Sequence, residues 1–319
     1  MVASRDALVA HARASIARGS KSFAAASRLF RPAMRDHVWL LYAWCRACDD
    51  IIDGQDHGGA MTSVNDLAAR LARVDRLTDE ALAGRDTGEV AFDCLTLVAR
   101  ECALPHRYVY DLLEGFALDA EGWRPETLND LLAYCYHVAG AVGCLMAVVM
   151  GVAPDDEAVI DRACDLGLAF QLANVARDVA EDAAAGRCYL PREWLQEGGL
   201  DEAGLMDPAA RPHLATLTGR LAALAERYEA SARVGTSALS ARAAWAVLAA
   251  AGIYGGIARK VGQVGAGALD QRVTTGKGQK LGWLVRAAGQ ASVRGRLYPS
   301  AARDEDLWRR PRASFALPA

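Results

Sequence analysis

Carboxylates recur at helical spacing at the end of the apolar stretch Val38 to Asp53, VWLLYAWCRACDDIID. On an α-helix, one face of this stretch would carry, at intervals of four, three and four residues, Tyr42, Arg46, Asp49 and Asp53. Carboxylates stacked in this way repel each other by about 0.2 to 0.5 kcal/mol on a free helix surface. A divalent cation removes that repulsion, so the pattern predicts a metal-binding helix end.

A second stretch, Asp165 to Asp182, has the sequence DLGLAFQLANVARDVAED and repeats the arrangement. One helical face would carry, at intervals of three, four and four residues, Gln171, Asn174, Asp178 and Asp182. Oxygen ligands are those that Mg²⁺ prefers, usually one or two carboxylates completed by water and substrate phosphates. Two such faces in one chain therefore predict a diphosphate that is bound through Mg²⁺.

Acidic residues at helical spacing also occur on ordinary solvated surfaces, and that interpretation defines the alternative. In both stretches the acids continue an apolar helix that also carries aromatic or amide side chains, whereas a solvated face is usually polar along its whole length. The metal-binding interpretation is therefore preferred. The alternative of a different class is a non-catalytic helical scaffold that binds cations.

The composition of the 319-residue chain indicates a large core and no nucleic-acid partner. Hydrophobic residues make up 52% of the sequence, and the net charge of −3 offers no basic surface for nucleic acid. Only four of the 36 basic residues are lysine, namely Lys21, Lys260, Lys277 and Lys280. The others are arginine, whose planar guanidinium binds phosphate through two hydrogen bonds, although most are expected to be ordinary surface charge.

The eight cysteines predict reduced thiols rather than disulfides. No signal peptide is recognised between Met1 and Phe23, and the cysteines lack the paired spacing of a small secreted scaffold. Cys45 and Cys48 form a CxxC, but within a helix and without a second pair, so neither zinc nor redox chemistry is expected there. The predicted location is cytoplasmic.

One stretch, Leu131 to Ala153, has no charged residue and is long enough to cross a membrane. Its residues Tyr134, Tyr136 and His137, together with three glycines, favour a helix buried in a globular protein instead. The small residues leave room either for a bound hydrocarbon or for close helix packing. The sequence leaves both explanations open.

Helical periodicity accounts for the whole chain, and no stretch of alternating β-branched residues competes with it. The predicted fold class is therefore all-α, with about a dozen helices around one central apolar cavity. We expect a single domain of residues 1–298, followed by a polar, frayed tail of residues 299–319.

Two further segments carry groups that suit an anion. Ser20 either simply caps a helix or binds an anion there together with Lys21. A Gly-rich turn near the C-terminus carries Arg272, Lys277 and Lys280, which either close over phosphate or form a solvated loop.

Three motifs, YAWCRACDDIIDG, YCYHVAGAVG and FQLANVARDVAEDAAAGRCYLP, resemble the diagnostic motifs of the squalene and phytoene synthase family. The resemblance covers nearly the whole chain, and RACDDIIDG and RVTTGKGQKL are most similar to the bacterial phytoene-forming members. It implies the all-α isoprenoid synthase fold, in which two aspartate-rich helices face each other across a deep apolar cavity. The second motif, Asn-x-x-x-Asp-x-x-x-Asp, argues against a chain-elongating prenyltransferase.

The resemblance also implies a role for each residue of the candidate site. The implied metal ligands are Asp49, Asp53, Asn174, Asp178 and Asp182. The implied catalytic residues are Tyr42, Arg46, Arg177 and Tyr254. The implied substrate-binding residues, around the diphosphates and the reacting carbons, are Ser20, Phe23, Tyr134, Gln171, Arg187 and Tyr189.

The implied reaction joins two geranylgeranyl diphosphates head to head, through a cyclopropyl diphosphate, to phytoene in carotenoid biosynthesis. The implied cofactor is Mg²⁺, or Mn²⁺, as about two or three ions held with diphosphate, and no NADPH is expected. Squalene and dehydrosqualene synthases that use farnesyl diphosphate are the alternatives within the family, and a terpene cyclase is a more distant one. The insoluble product implies peripheral association with the inner face of the cell membrane, and the oligomeric state stays open.

Overall fold

The computed structural model describes residues 3–53 and 67–312, without the side chains of Lys21, Ser22 and Asp53. Every regular element in these two ranges is helical and no β-strand occurs among them, which confirms the predicted all-α class. The sequence also predicts that the glycines after the first acidic stretch end its helix, and they lie outside the described residues; they are Gly54, Gly58 and Gly59.

The close approaches between Cα atoms divide the chain into two compact units. The first comprises Met1–Glu121 and Leu145–Asp155, and the second comprises Gly122–Cys144 and Asp156–Ala319. The single domain of residues 1–298 and the central apolar cavity both stay predictions.

The first unit is built around one long helix that contains the first acidic stretch. Its helices in the described residues are α1 (Arg5–Gly19), α2 (Lys21–Ser27), α3 (Pro32–Asp53), α4 (Leu67–Leu82), α5 (Val90–Cys102) and α6 (His106–Ala120). Helix α3 packs against the five others and buries Leu40, Leu41 and Trp44 almost completely. Each such side chain contributes about 1.5 to 3 kcal/mol when it leaves water, so packing rather than helix propensity fixes the position of α3.

The second unit is built around the helix of the second acidic stretch. The α-helices that follow α6, of which α8 spans both units, are α7 (Leu128–Cys135), α8 (Ala141–Val149), α9 (Glu157–Ala184), α10 (Arg192–Glu197), α11 (Arg211–Gly235), α12 (Ala241–Val264), α13 (Lys277–Ser292) and α14 (Arg294–Leu297). Helix α9 packs against α7, α11 and α12. The predicted acidic face thus lies on a helix that is packed on several sides.

The uncharged stretch predicted as one buried helix contains an irregular turn. Helix α7 runs into a π-helical segment, Tyr136–Gly140, and this segment runs into α8. Here the chain lies very close to α9, because a Cβ atom on Gly143 would be 2.4 Å from the Ala163 carbonyl oxygen. A Cβ atom on Gly167 would be 2.3 Å from the Ala139 carbonyl oxygen. Close helix packing is therefore observed at the small residues.

Two helical stretches of the described chain are long and apolar enough to cross a membrane, Leu128–Val149 and Ala241–Leu269. In each, 61% of the most apolar window is buried inside the protein. Burial of this extent is typical of core helices, which agrees with the interpretation of the first stretch as part of a globular core.

The described part of the C-terminal tail packs on α9, which corrects the expectation of a frayed end. Arg303 Nη2 donates to Oδ1 of the fully buried Asp165 at 2.6 Å, and Arg310 Nε donates to Asp161 Oδ1 at 2.9 Å. A buried carboxylate without a cation is strongly unfavourable. The sequence pattern missed this pairing because Arg303 and Asp165 are 138 positions apart.

Candidate active site

At the end of α3 one arginine contacts two carboxylates. Arg46 Nη1 donates to Asp49 Oδ2 at 2.8 Å, and Arg46 Nε donates to Asp50 Oδ1 at 2.9 Å. Asp49 is the more open acid, with 41% of its side chain exposed against 15% for Asp50. A cation is therefore present at this helix end without any metal, and it comes from the same helix. The side chain of Asp53, the remaining predicted acid, lies outside what the structure describes.

One turn before Arg46, the Tyr42 ring stacks on Phe23 with ring centroids 6.0 Å apart. The Ser20 hydroxyl oxygen accepts a hydrogen bond from the Phe23 amide at 3.2 Å, so Ser20 caps α2. A Cβ atom on Gly19 would lie 2.4 Å from the Tyr42 hydroxyl oxygen. The structure therefore clusters three predicted site residues around a glycine whose role sequence reasoning missed.

On α9 one carboxylate is held by two arginines. Asp178 accepts from Arg177 Nε at 2.6 Å, and from Arg272 Nε and Nη2 at 2.8 and 3.0 Å. Its side chain is only 16% exposed. Burial by itself would raise the pKa of Asp178, but the two guanidiniums outweigh it and hold that pKa below its usual range. Asp178 is therefore ionised at neutral pH, as a metal ligand must be.

The Gly-rich turn before α13 brings one of its basic residues to this acidic face. Arg272 pairs with Asp178, which lies 94 positions earlier in the chain, and its Nε lies 4.0 Å from Glu181 Oε1. Arg272 thus contacts the acidic face while its side chain stays 54% exposed, and closure of the turn over phosphate stays a prediction. No spacing rule connects the two positions, so the sequence identifies Arg272 only as part of a basic turn.

The other polar side chains of the α9 face are oriented by short local contacts. Asn174 Nδ2 donates to Gln171 Oε1 at 3.3 Å, which leaves the Asn174 side-chain oxygen available as a metal ligand. Just after α9, Gly186 adopts a φ of 70°, a left-handed conformation that suits glycine at the end of a helix. The Arg187 amide then donates to the Asp182 carbonyl oxygen at 2.8 Å, so Arg187 follows directly on the last acid of the face.

Two aromatic stacks belong to the same unit as the α9 face. Tyr134 lies beside both Trp123 and Tyr189, with ring centroids 5.4 and 5.0 Å away. Phe170 stacks on Tyr254 of α12 at 4.3 Å. Burial raises the pKa of Tyr254, so its phenol stays protonated at neutral pH. Sequence reasoning missed Trp123 and Phe170, and only the adjacency of Phe170 to the second acidic motif offered a signal.

Cys45 and Cys48, the CxxC pair on α3, lack thiolate character. All eight cysteines are free thiols, as predicted. Burial raises the pKa of Cys45 to about 12 and raises that of Cys48 well above its usual value. Zinc binding and disulfide exchange both require a thiolate, so this pair is unsuited to either.

The oxygen donors of the two faces fit a hard divalent cation. In the described parts of the chain, no three His, Cys, Asp or Glu side chains form a metal-binding group by themselves. Mg²⁺ does not need such a group, because water and substrate phosphates usually complete its coordination. Each face by itself offers such donors: the ionised Asp178 and the Asn174 side-chain oxygen on α9, and the 41% exposed Asp49 carboxylate on α3.

The fold of this all-α chain is the isoprenoid synthase fold. Its acidic helix faces combine carboxylates with arginines, and this combination is a feature of metal-dependent prenyl-diphosphate synthases. The chain belongs to the squalene/phytoene synthase family, whose model matches residues 16–279. That range includes the whole of α3 and α9 and ends within the first turn of α13. The predicted family is thus confirmed.

Curated relatives are similar over almost their whole length. The chain is 46% identical to a phytoene synthase of Pseudescherichia vulneris, over 97% of this chain and 99% of the relative. It is 48% identical to a 15-cis-phytoene synthase of Enterobacter agglomerans, over 92% of this chain and 99% of the relative. The likeness therefore extends well beyond the short motifs.

Solved structures share the fold. A dehydrosqualene synthase in complex with a ligand is similar with a TM-score of 0.80 and 27% identity, over 90% of this chain and 98% of that chain. A squalene synthase from Alicyclobacillus acidocaldarius is similar with a TM-score of 0.69 and 24% identity, over 81% and 94% of the two chains. The second likeness concerns the fold alone.

Proposed function

We propose that this chain joins two geranylgeranyl diphosphates head to head and converts the resulting cyclopropyl diphosphate into phytoene, as a prenyl transferase of carotenoid biosynthesis. The observation that carries the proposal is the 48% identity to a 15-cis-phytoene synthase over 99% of that relative. The site supports it, because each acidic face combines carboxylates with arginines, the groups that bind a metal ion and a diphosphate.

Arginines bind the diphosphates in this proposal. Arg46 now holds Asp49, and Arg177 and Arg272 now hold Asp178. A phosphate group offers a guanidinium the same paired oxygens as a carboxylate does. Each arginine can therefore exchange its acidic partner for phosphate and stay hydrogen-bonded. Arg187 is the further candidate, since it follows directly on the second acidic face.

The oxygen donors of the two faces would hold Mg²⁺ or Mn²⁺, and they are Asp49, Asp53, Asn174, Asp178 and Asp182. When bound, the metal supplies positive charge that neutralises the diphosphate, which is otherwise a poor leaving group. No nicotinamide takes part in the proposed reaction, because proton loss rather than hydride addition ends it.

Aromatic residues stabilise the allylic cation that forms when the first C1–O bond breaks. A ring face attracts a cation that lies within about 6 Å of its centroid. Tyr42 with Phe23, and Tyr254 with Phe170, provide stacked rings in the two units. Tyr134 is only 3% exposed and helps to exclude water. The cation is captured by the C2=C3 bond of the second substrate, and the cyclopropyl diphosphate then ionises in turn.

The last step needs a base that accepts one proton, and the two candidates are the released diphosphate and a tyrosine hydroxyl. Burial raises the pKa of both Tyr42 and Tyr254. A phenol with a raised pKa is neutral at physiological pH and is a weak base. The structure therefore favours the diphosphate as the proton acceptor.

We also propose a cytoplasmic location with peripheral association with the inner face of the cell membrane. The eight free thiols support a reducing compartment. The substrate has a long prenyl chain and the product is a hydrocarbon, so both partition into lipid.

The test is to incubate the purified chain with geranylgeranyl or farnesyl diphosphate and Mg²⁺, with and without NADPH, and to analyse the extracted lipid. We expect phytoene from the geranylgeranyl substrate, at a rate that does not depend on NADPH. A product that forms only with NADPH would assign a squalene-type reaction instead. If neither substrate gives a lipid product, the non-catalytic scaffold becomes the better interpretation.

The second candidate is a dehydrosqualene synthase that uses farnesyl diphosphate. It is favoured by one observation, the TM-score of 0.80 to a solved dehydrosqualene synthase. Both reactions need the same metal and diphosphate groups, so the preferred length of the prenyl chain in the assay decides between them.

A further inference from the structure

The surface formed by α13 and α14 exposes an unusual share of apolar side chains. Leu281 and Val285 are 62% and 68% exposed and lie four residues apart on α13, so they share one face. Val293 and Leu297 are 49% and 50% exposed and are also four residues apart, at α14. In the part of the chain that the structure describes, these side chains are four of the seven exposed large hydrophobic residues.

The opposite side of α13 is fixed to α12. Ala287 is fully buried, and Trp245 Nε1 of α12 donates to the Leu284 carbonyl oxygen at 2.8 Å. Trp283 lies so close to Gly252 of α12 that a Cβ atom on this glycine would be 2.2 Å from the indole ring. Helix α13 is therefore held in place by one face while Leu281 and Val285 point away from the core.

The charge of this surface has one sign. Residues 271–302 contain six Lys or Arg residues and no Asp or Glu, in a chain whose net charge is −3. Arg272 pairs with Asp178, and Arg294 donates to the carbonyl oxygens of Thr236 and Leu239, which both precede α12. Four more cations are interspersed in sequence with the exposed apolar residues; they are Lys277, Lys280, Arg286 and Arg296.

We propose that the α13–α14 surface docks on an anionic phospholipid bilayer, with its apolar side chains among the headgroups and its cations at the lipid phosphates. Apolar residues flanked by Lys and Arg are typical of helices that lie in the plane of a membrane interface. A second copy of this chain fits less well, because a symmetric contact would bring the same cationic surface of both copies together. Charge complementarity therefore selects the anionic bilayer.

This surface is connected to the second acidic face within one unit. Arg272, which holds Asp178, lies five residues before Lys277, the first residue of α13. Trp283 of α13 packs on α12, the helix that carries Tyr254. The use of the surface rests on the proposed function: docking brings these elements to the lipid phase in which a prenyl substrate and a hydrocarbon product dissolve.

The experiment is a flotation assay of the full chain with vesicles of phosphatidylcholine alone or of phosphatidylcholine mixed with phosphatidylglycerol. We expect the protein to float with the mixed vesicles and to be released by high salt, since exposed charge pairs are screened. Leu281→Ser/Val285→Ser should weaken binding by at least about tenfold. Arg286→Gln/Arg296→Gln should weaken binding by at least about tenfold on the mixed vesicles only.

The matched control is Val90→Ser/Met206→Ser, which removes two apolar side chains of 40% and 42% exposure away from this surface. It should bind vesicles as the unchanged protein does. The docking proposal is wrong if the unchanged protein does not float, or if the control loses as much binding as Leu281→Ser/Val285→Ser. It is also wrong if sedimentation shows a dimer that this double variant abolishes.

Activity on detergent-dispersed geranylgeranyl diphosphate separates this proposal from the proposed function. Leu281→Ser/Val285→Ser should keep the activity of the unchanged protein in detergent and lose at least about tenfold on vesicle-borne substrate. A chain that binds vesicles but makes no lipid product would contradict the proposed function and leave the docking surface in place. If Leu281→Ser/Val285→Ser instead makes phytoene from vesicle-borne substrate as fast as the unchanged protein does, the docking proposal alone is contradicted.

Discussion

The two acidic helix faces carry similar side chains, but the arginines that pair with their carboxylates come from different places. On α3 the arginine belongs to the same helix, and on α9 one arginine comes from a distant turn. At the end of α3, Arg46 reaches Asp49 and Asp50 within one turn of the same helix, and Asp49 stays 41% exposed. On α9, Asp178 is 16% exposed and shares its charge with an arginine from a turn 94 residues later. The α3 arrangement follows from helical spacing, whereas the α9 arrangement exists only in the folded second unit.

The packing of the two helices differs in the same way. Helix α3 contains no glycine and is fixed by large buried side chains such as Trp44. Helix α9 instead approaches the π-helical segment through Gly167, where a Cβ atom would be 2.3 Å from a backbone carbonyl oxygen. Backbone atoms cannot move aside as a flexible side chain can. The position of the acidic face on α9 should therefore be more sensitive than that on α3 to a small added side chain at the helix contact.

Removal of single carboxylates tests whether both faces act in catalysis. Asp49→Asn, Asp53→Asn, Asp178→Asn and Asp182→Asn should each lower turnover by at least about 100-fold, the usual scale for one preorganised electrostatic group. Steady-state rates with geranylgeranyl diphosphate and Mg²⁺ measure this. Near-normal turnover in all four variants would remove the metal-site interpretation.

The same variants separate the two faces by stability. Asp178→Asn takes a buried acid away from two arginines, so the melting temperature without metal should fall. Asp49→Asn changes a half-exposed acid, and its melting temperature should change little. Equal changes in melting temperature at the two positions would contradict the proposed difference, in which Asp49 is paired within its own helix and Asp178 is paired with an arginine from a distant turn.

The close approach at α9 is tested by Gly167→Ala. The added Cβ must displace backbone, so we expect a loss of about 1 to 3 kcal/mol in the free energy of unfolding, measured by urea titration. The control is Gly219→Ala on α11, where a Cβ atom meets no neighbour within 4 Å. Because alanine favours a helix over glycine by about 1 kcal/mol, the control should be neutral or stabilised, and a destabilised control would argue against the steric explanation.

Arg46→Lys tests whether Arg46 of α3 binds phosphate through two hydrogen bonds of its planar guanidinium or through its positive charge alone. Lysine keeps the charge but cannot contact two oxygens in one plane, so activity should fall by about tenfold or more, the equivalent of about 1.4 kcal/mol. A variant with the rate and the apparent substrate affinity of the unchanged protein would make Arg46 a surface charge.

The smallest expected effect concerns Arg272 and pH. The folded-state pKa of Asp178 is depressed, so its pairing stabilises the fold above the unfolded-state pKa of about 3.9, and this is lost as the pH falls through the folded value. Arg272 is 54% exposed, so Arg272→Gln should cost less than about 1 kcal/mol at neutral pH. The difference should shrink in acid, and it should be absent at all pH values in an Asp178→Asn background.

Much of the site was predictable because helical periodicity connects residues three and four positions apart. The faces of Tyr42, Arg46 and Asp49, and of Asn174 and Asp178, follow from spacing alone. Sequence reasoning did not find Trp123 or the role of Gly19, since an aromatic stack and a missing Cβ have no fixed spacing from their partners. The motifs identified the family because they are long, and not because any one residue is specific.

By itself the sequence determined the all-α class, the family and the two acidic faces, all of which depend on the order of residues within a few helical turns. Only the tertiary structure decided that Arg272 holds Asp178 and that Arg303 holds the buried Asp165. It also decided which face of α13 is buried on α12. These contacts join residues that are 94, 138 and 39 positions apart, and they form because a buried charge or polar group must find a partner when the helices pack.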